Sequence, residues 1–368
     1  MKIKAIKLYA VSLPVVGGEY RMASTTTRVL DTTIVELMTD TGIIGYGEVC
    51  PAGTVYQPQH ALGARAALHE VCPSLIGLNP LHTENIARSM DLALNGARYA
   101  KAAVDIALWD IAGKAYNARV CDLLGGAVRG KVPSYYSTTV MSPQETASLV
   151  AEKQREGYTR IQTKVGGRSL EEDIATIRKV GEVIKPEVRW AVDVNRGWST
   201  GDAITASRLT EHLPYVLEQP CNTYEEVASL RNQVRHPLYL DESTEHLGVI
   251  LNAAVNKTVD GFGLKVTRLG GLSSMRTVRD ICHFAHLPFS CDDAWGGDII
   301  AAACVHLAAT VTPSLCEGAW IAAPYIDGHY DQNGGITIEN GWIDVPTGPG
   351  LGVVPKPDAW GKPIREYG

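Results

Sequence analysis

The sequence has no excess of positive charge, no long apolar run and no C-x-x-C cysteine pair. Its 368 residues include 34 Lys and Arg against 40 Asp and Glu, which gives a net charge of −6. Without a basic excess, nucleic acid is not an expected partner. The apolar runs are too short to span a membrane, and the N-terminus lacks the apolar core and cleavage site of a signal peptide. We therefore expect a cytoplasmic protein that binds neither membranes nor nucleic acid.

Two further absences narrow the chemistry. The eight cysteines are scattered and have no paired histidines beside them, so we expect reduced core thiols rather than disulfides or zinc ligands. Neither a G-x-G-x-x-G nor a G-x-x-x-x-G-K-[ST] loop occurs, which argues against an open dinucleotide-binding sheet or a P-loop enzyme. The apolar share of 45% and the charged share of 20% are ordinary for a folded enzyme.

The N-terminal third predicts strands and then helices. Residues 3–14 and 31–49 alternate apolar and polar side chains around a TDTG turn, which is typical of a hairpin. Two polar loops interrupt this pattern, a first lid loop at 15–28 and a second lid loop at 50–60. We expect both to cover a site, because substrate contacts concentrate on loops. Apolar residues then recur at helical spacing from Ala61 to about Asn117, with a stop predicted at the Gly-Lys pair of WDIAGKAYN.

From residue 123 onward, short apolar runs that end in a polar residue alternate with amphipathic helical stretches. This alternation is the signature of repeated strand and helix units around a parallel sheet. The middle run endings are 23 to 29 residues apart, which suits one strand, a loop and one helix. Eight such units close most naturally into a (β/α)₈ barrel. The runs end at Ser137, Lys164, Asp193, Glu218, Asp241, Lys265, Asp292 and Glu317.

Three consecutive run endings are carboxylates. The C-terminal strand ends of a parallel barrel carry the active site, so Asp193, Glu218 and Asp241 are expected to converge there. Crowded carboxylates repel one another unless a cation neutralises them, and oxygen ligands suit a hard divalent ion such as Mg²⁺. The structural alternative is that each acid caps a helix or pairs with an arginine.

Lys164 and Lys265 flank these carboxylates. A lysine is a poor base at neutral pH unless burial and a nearby cation lower its pKa. Strands two and six of eight lie on opposite sides of a barrel, so the two lysines can reach opposite faces of a bound carbon. The predicted chemistry is proton abstraction α to a carboxylate, with Mg²⁺ stabilising the enediolate. For Lys164 the structural alternative is a salt bridge to Asp193 or Glu218.

An ordered set of motifs resembles the enolase superfamily in its muconate lactonizing subgroup: AAVDIALWDIAGK, the lysines of IQTKVGG and LKVTRLGG, and the carboxylates of VDVN, LEQP and LDES. The resemblance implies a modified TIM barrel of the (β/α)₇β type over residues 126–321. It implies an α+β capping domain over 1–125, completed by about 322–368, and a homo-oligomer. In the terms of this family, Asp193, Glu218 and Asp241 would bind Mg²⁺, and Lys164 and Lys265 would be the acid and base.

One position departs from the family pattern. The family usually has Lys-x-Lys on the second strand, but Gln162 stands where the first lysine would be. A neutral amide cannot lower the pKa of Lys164 by charge, so we expect the metal or burial to do so. Gln162 could instead donate a hydrogen bond to a ligand carboxylate.

Several segments, among them VVGGEYRMASTTT, EQPCNTYEE and SCDDAWGGDIIAAACVH, resemble the cis-3-hydroxy-L-proline dehydratases. Their relatives are the hydroxyproline-betaine and proline-betaine 2-epimerases. The resemblance implies a Mg-dependent lyase that removes the α-proton of cis-3-hydroxy-L-proline and expels the 3-hydroxyl, giving Δ1-pyrroline-2-carboxylate. Epimerisation at C2 of proline or its betaines stays an alternative, because it begins with the same proton loss. A non-catalytic ligand-binding or structural barrel is a second alternative.

Four further residues are candidates for substrate contacts. Tyr56, which looks exposed in the sequence, and Trp320 fall on loops expected to overhang the barrel, and their rings would suit a cationic ring nitrogen. Trp320 could equally pack under the capping domain. Asp292 or Asp293 could bind the substrate ammonium or cap the helix that starts near Gly296.

Overall fold

The computed structural model describes all 368 residues apart from the side chains of Pro357 and Ala359. The strands are β1 (Ile3–Pro14), β2 (Tyr20–Arg21), β3 (Thr26–Thr27), β4 (Val29–Thr39), β5 (Ile44–Val49), β6 (Lys131–Pro133), β7 (Tyr136–Ser137), β8 (Arg160–Lys164), β9 (Arg189–Asp193), β10 (Val216–Glu218), β11 (Leu238–Leu240), β12 (Gly261–Lys265), β13 (Phe289–Asp292), β14 (Trp342–Asp344) and β15 (Arg365–Tyr367). The α-helices are α1 (Ala61–Val71), α2 (Thr83–Ala93), α3 (Arg98–Tyr116), α4 (Val120–Leu123), α5 (Pro143–Arg155), α6 (Leu170–Gly181), α7 (Thr200–Leu209), α8 (Tyr224–Ser229), α9 (Leu247–Asn256), α10 (Val266–Leu269), α11 (Leu272–Ala285) and α12 (Asp298–Ala309).

The N-terminal region forms an antiparallel sheet covered by helices. β4 pairs with β1 on one side and with β5 on the other, so the predicted hairpin is confirmed. β15, from the other end of the chain, pairs with the outer edge of β1. Helices α1, α2 and α3 pack on this sheet around Leu37, Leu68, Ile86 and Leu108. Among the residues that the structure describes, no helix is long and apolar enough to cross a membrane.

Helix α3 runs through the Gly-Lys pair that we expected to stop it. It ends at Tyr116, where Asn117 takes the left-handed conformation with φ of +51°. The predicted end of the helical region at about Asn117 is confirmed, but the predicted stop at the Gly-Lys pair was wrong, because Gly113 allows a close approach to another segment. A Cβ at this position would lie 2.5 Å from the Cα of Gly350. Most side chains of α3 are buried, because the helix packs between the antiparallel sheet and helices α10 and α11.

A parallel barrel follows. Strands β7 to β13 form one sheet in chain order, and the eighth run closes it through bridges from Cys316 to Phe289 and from Ala319 to Ser134. The (β/α)₇β type of barrel is therefore confirmed. The cysteines are free and, apart from the partly exposed Cys316, buried, as predicted for core thiols. The ends of β8 and β9 are in register, because Lys164 pairs with Asp193.

The eighth run does not end at Glu317 as predicted. The Glu317 carboxylate accepts a hydrogen bond of 2.7 Å from the Tyr239 hydroxyl and lies 3.5 Å from Nε of Arg160. Arg160 begins β8, so Glu317 lies towards the N-terminal end of the barrel. The run reaches the opposite end, the barrel mouth, at Trp320, whose backbone N–H donates to Asp292 at 2.8 Å. The prediction failed because a charged residue inside a barrel strand looks the same in sequence as one at its end.

Both lid loops dock on the barrel mouth. In the first, β2 and β3 form a small hairpin, and the backbone N–H of Arg21 donates to the Thr139 hydroxyl at 2.7 Å. In the second, the carbonyl oxygens of Val55 and Tyr56 accept hydrogen bonds of 3.1 Å from Arg196. Tyr56 is buried rather than exposed, because the loop turns its ring inward beneath the docked backbone.

Candidate active site

Asp193, Glu218 and Asp241 form a buried cluster at the ends of β9, β10 and just beyond β11. Each side chain is at most 1% exposed. One oxygen from each carboxylate lies within 4.8 Å of the others, a spacing that a single metal ion can bridge. Three carboxylate oxygens without nitrogen or sulfur ligands are the donor set preferred by Mg²⁺. The cluster therefore fits a hard divalent cation.

The pKa values of Glu218 and Asp241 in this cluster are shifted in opposite directions. Burial, together with the charges of Asp193 and Asp241, raises the pKa of Glu218 to about 8. Burial acts in the same direction on Asp241, but Lys265 and Arg268 outweigh it, so the pKa of the Asp241 carboxyl lies below its usual range. Glu218 is thus the carboxylate that most needs a nearby positive charge.

The two lysines lie on either side of the cluster and line the same cavity. Lys164 forms a buried salt bridge with Asp193. Lys265 Nζ is 3.1 Å from Asp241 Oδ2 and 3.8 Å from Asp292 Oδ2. Burial disfavours the charged form of Lys164, but the charge of Asp193 outweighs it, so the pKa of Lys164 lies above its ordinary value. The protein's own charges therefore hold Lys164 as an ammonium, and the lowering expected from burial alone does not occur.

Gln162 contacts the carboxylate cluster. Its Nε2 lies 2.9 Å from both carboxylate oxygens of Glu218. Its Oε1 accepts a hydrogen bond of 2.6 Å from the Ser137 hydroxyl. The amide also lines the cavity, but both of its ends already have partners within the protein.

Asp292 and Asp293 are both held by protein partners. Asp292 accepts from the Tyr135 hydroxyl at 2.8 Å as well as from the backbone of Trp320. Asp293 accepts from the backbone N–H and the hydroxyl of Thr267, at 3.0 and 2.8 Å, and burial raises the pKa of Asp293 to about 6. Asp293 thereby caps α10, the short helix that begins directly after Lys265. Of the two acids, Asp293 lines the cavity and Asp292 does not.

The helix that starts near Gly296 is capped by a residue that the sequence did not suggest. Glu48, at the end of β5, accepts from the backbone N–H groups of Gly297 and Ile300 at 2.8 and 3.2 Å. Of the two alternatives for Asp292 and Asp293, capping of this helix is therefore wrong. A long-range cap of this kind leaves no local signal, because Glu48 is some 250 residues away in the chain.

Aromatic side chains complete the cavity wall. Trp320 stacks on Tyr325 with ring centroids 5.3 Å apart and meets Trp295 edge-on at 5.3 Å. Among the described residues, no group accepts a hydrogen bond from its buried indole N–H. The Tyr56 hydroxyl donates to Asp241 Oδ2 at 3.1 Å. Both predicted aromatic residues thus lie at the cavity, and Trp320 also packs against Trp295 and Tyr325.

Several residues at the site were missed from the sequence. Arg268 donates to Asp241 Oδ1 at 2.6 Å, and Asn195 donates to Asp193 at 3.1 Å and to Glu242 at 2.9 Å. Arg268, Asn195 and Glu242 belong to the motifs LKVTRLGG, VDVN and LDES, respectively. Because they are close in sequence to the strand-end residues, the sequence could have identified them as site residues. Tyr20, Tyr135 and Trp295 also line the cavity. Tyr20 gave no signal, because it arrives on a loop whose path no periodic pattern predicts.

A capped parallel barrel that gathers three carboxylates and two lysines around one cavity defines a barrel enzyme of the acid/base class. The chain belongs to the enolase superfamily. Residues 6–125 match the family described as mandelate racemase / muconate lactonizing enzyme, N-terminal domain. Residues 145–359 match the family described as enolase C-terminal domain-like. These matches confirm the resemblance that the strand-end motifs carried.

Named relatives cover most or all of the chain. A cis-3-hydroxy-L-proline dehydratase from Roseibium aggregatum is 38% identical over 369 residues, with 100% of both chains covered. An N-succinyl-L-Arg/Lys racemase from Bacillus cereus is 32% identical over 74% of each chain. A solved structure of an enolase superfamily member from Roseovarius nubinhibens ISM, complexed with magnesium, is 31% identical with a TM-score of 0.94, and it covers 100% of this chain and 99% of that one.

Proposed function

We propose that the protein dehydrates cis-3-hydroxy-L-proline to Δ1-pyrroline-2-carboxylate. The observation that carries this proposal is the pair Lys164 and Lys265, which come from separate strands and line one cavity beside the carboxylate cluster. The full-length similarity to a cis-3-hydroxy-L-proline dehydratase supports the choice of substrate.

Asp193, Glu218 and Asp241 would hold Mg²⁺, and the bound ion would supply positive charge that stabilises the negative charge developing on the substrate carboxylate. The other substrate contacts come from the chain. The ring of Trp320 offers a face to the cationic ring nitrogen, and its unpartnered N–H offers a donor to a substrate oxygen. Tyr56 closes the cavity on the side of Asp241.

The stereochemistry of the substrate suits two acid/base groups. In cis-3-hydroxy-L-proline the 3-hydroxyl lies on the same ring face as the carboxylate, so the α-proton lies on the opposite face. One neutral lysine takes the α-proton, and the C2–H electron pair forms the C2=C3 double bond. The C3–O bond breaks as the second lysine, as its ammonium, gives a proton to the hydroxyl, which leaves as water. The resulting enamine tautomerises to Δ1-pyrroline-2-carboxylate.

Epimerisation at C2 is the second candidate. The same two lysines favour it, because one can remove the α-proton and the other can return a proton to the opposite face. Similarity to a racemase over 74% of the chain also supports it. Proline, 4-hydroxyproline and their betaines could react only in this way, because they have no hydroxyl at C3.

A substrate panel in D₂O with Mg²⁺ tests the proposal. The panel contains cis-3-hydroxy-L-proline, trans-4-hydroxy-L-proline, its betaine and L-proline betaine, and the products are followed by ¹H NMR. We expect pyrroline product from cis-3-hydroxy-L-proline alone, and at most slow α-deuterium incorporation into the others. Incorporation of α-deuterium into every compound, with no pyrroline from any, would contradict the dehydratase and favour the epimerase.

A further inference from the structure

A chain of hydrogen bonds connects the first lid loop to the carboxylate cluster. The Tyr20 hydroxyl lies 3.0 Å from Ser137 Oγ and 2.9 Å from the carbonyl oxygen of Thr138. The Ser137 hydroxyl donates to Gln162, and Gln162 donates to Glu218. We call Tyr20, Ser137, Gln162 and Glu218 the lid chain. All four side chains are buried, the most exposed being Tyr20 at 5%.

The Glu218 carboxylate fixes the orientation of the Gln162 amide. Its oxygen receives the Ser137 proton at 2.6 Å, and its nitrogen faces both oxygens of Glu218 at 2.9 Å. A flipped amide would place its oxygen against the carboxylate oxygens of Glu218, and two acceptors cannot share a hydrogen bond. The Ser137 and Gln162 donors therefore both point towards Glu218, an arrangement in which one hydrogen bond polarises the next.

The neutral amide has a consequence for the cation. A hydrogen-bond donor without charge can orient Glu218 and still leave its full negative charge for a metal ion. An ammonium at the same position would compete with the ion for that carboxylate.

The other end of the lid chain is anchored in the lid. The Tyr20 ring packs edge-on against Trp295 at 5.2 Å and against Tyr325 at 5.5 Å. The next residue, Arg21, exchanges hydrogen bonds with Thr139 and accepts one of 3.0 Å from the backbone of Val140. Tyr20 can reach Ser137 only while this hairpin is docked on the barrel.

We propose that Gln162 is a positioning residue that couples closure of the first lid loop to cation binding at Glu218. By holding Glu218 in its cation-binding orientation only when Tyr20 is docked, the lid chain links the two events. Linkage is reciprocal, so cation binding must also stabilise the docked lid. The inference rests on the metal site of the proposed function.

Two measurements on the purified full-length protein, without substrate, test this coupling. Isothermal titration calorimetry gives the Mg²⁺ affinity of the wild type and of Gln162→Met, Ser137→Ala and Tyr20→Phe. Hydrogen exchange gives the protection of residues 17–28 with and without Mg²⁺. Tyr215→Phe is the matched control, because it also removes one buried hydroxyl, but one whose hydrogen-bond partner, Thr210, lies outside the lid chain. Circular dichroism checks that each variant folds.

Loss of a group that orients a metal ligand typically weakens metal binding by about 10- to 100-fold, and we expect this for Gln162→Met. Ser137→Ala and Tyr20→Phe, which break neutral hydrogen bonds further away, should weaken binding about fivefold. Mg²⁺ should slow exchange of the lid in the wild type and in Tyr215→Phe, but not in Ser137→Ala. A merely structural role of Ser137 would leave this response to Mg²⁺ unchanged.

The possible failures are distinguishable. If the wild type binds Mg²⁺ and all three lid-chain variants bind it within twofold of the wild type, the coupling is wrong while the metal site stands. A response of lid exchange to Mg²⁺ that persists in Ser137→Ala has the same meaning. If the wild type itself binds no Mg²⁺, the metal site of the proposed function fails and the coupling fails with it.

Discussion

Lys164 and Lys265 line one cavity but have unequal surroundings. Lys164 has one carboxylate in salt-bridge contact, Asp193, which belongs to the carboxylate cluster. Lys265 contacts Asp241 of the cluster and also lies 3.8 Å from Asp292, which does not belong to it. With the cluster engaged by a cation, Lys265 keeps an anionic neighbour of its own and Lys164 does not. We therefore expect Lys164 to lose its proton more readily and act as the base, with Lys265 as the acid.

Separate alanine substitutions test this assignment. Lys164→Ala should lose both α-deuterium exchange and dehydration of cis-3-hydroxy-L-proline, because no group remains to take the α-proton. Lys265→Ala should lose dehydration by about 10²- to 10⁴-fold, the usual contribution of a general acid, and should keep exchange at C2. Both reactions are followed by ¹H NMR in D₂O with Mg²⁺. Lys179→Ala, on the exposed face of α6, is the control.

The opposite pattern would reverse the roles of the two lysines. Full turnover by either alanine variant would contradict a mechanism that needs both.

At the scale of elements, a buried carboxylate, Glu48, links the start of α12 to the antiparallel sheet. Glu48 accepts from two backbone N–H groups at the start of α12, from the Thr32 hydroxyl at 2.9 Å and from the Tyr330 hydroxyl at 3.2 Å. Burial raises the pKa of Glu48 to about 7 in spite of these donors. The folded state therefore holds a proton on Glu48 that the unfolded chain, with an ordinary carboxyl, releases near pH 4.5.

This difference predicts a pH-dependent stability. Between about pH 4.5 and 7 the folded protein binds more protons than the unfolded chain, so the contribution of Glu48 to stability falls as the pH rises through this window. Glu48→Gln mimics the protonated carboxyl and should not show this fall. We expect the wild type to lose up to about 3 kcal/mol relative to Glu48→Gln between pH 5 and pH 8, by urea unfolding. A constant difference between the two proteins across this range would show that Glu48 does not titrate as argued.

The elements that the sequence predicted well are those whose burial repeats along the chain. Strand and helix periods located the hairpin, α1 to α3 and the barrel, because side chains on one face alternate or recur in register with the core. Strand-end polarity located the carboxylates and lysines for the same reason. Gly113 and Glu317 were misread, since their environment depends on Gly350 and Arg160, which are remote in sequence. The inward turn of Tyr20 and Tyr56 depends on lid docking, which leaves no period.

At the scale of the whole molecule, the site lies where loops from the antiparallel sheet meet the barrel mouth, and it concentrates buried charge there. The two ends of the chain meet in that sheet through β1 and β15. The 1–125, 126–321 and 322–368 division into capping domain and barrel stays a prediction. Burying several carboxylates costs free energy unless they are paired, so a site prepared for a cation should destabilise the protein that lacks one.

The free-energy cost of burying these carboxylates can be tested by comparing the stability of the protein with and without Mg²⁺. A cation that binds only the folded protein stabilises it by about 2.7 kcal/mol at 100 times its dissociation constant. We expect Mg²⁺ to raise the thermal midpoint of the wild type and EDTA to reverse the change. Glu218→Gln should be at least as stable as the wild type in EDTA, because it removes the carboxylate most disfavoured by burial, yet it should gain little from Mg²⁺. A structural barrel that kept these acids for stability would behave oppositely, with Glu218→Gln less stable in EDTA and no effect of Mg²⁺ on either protein.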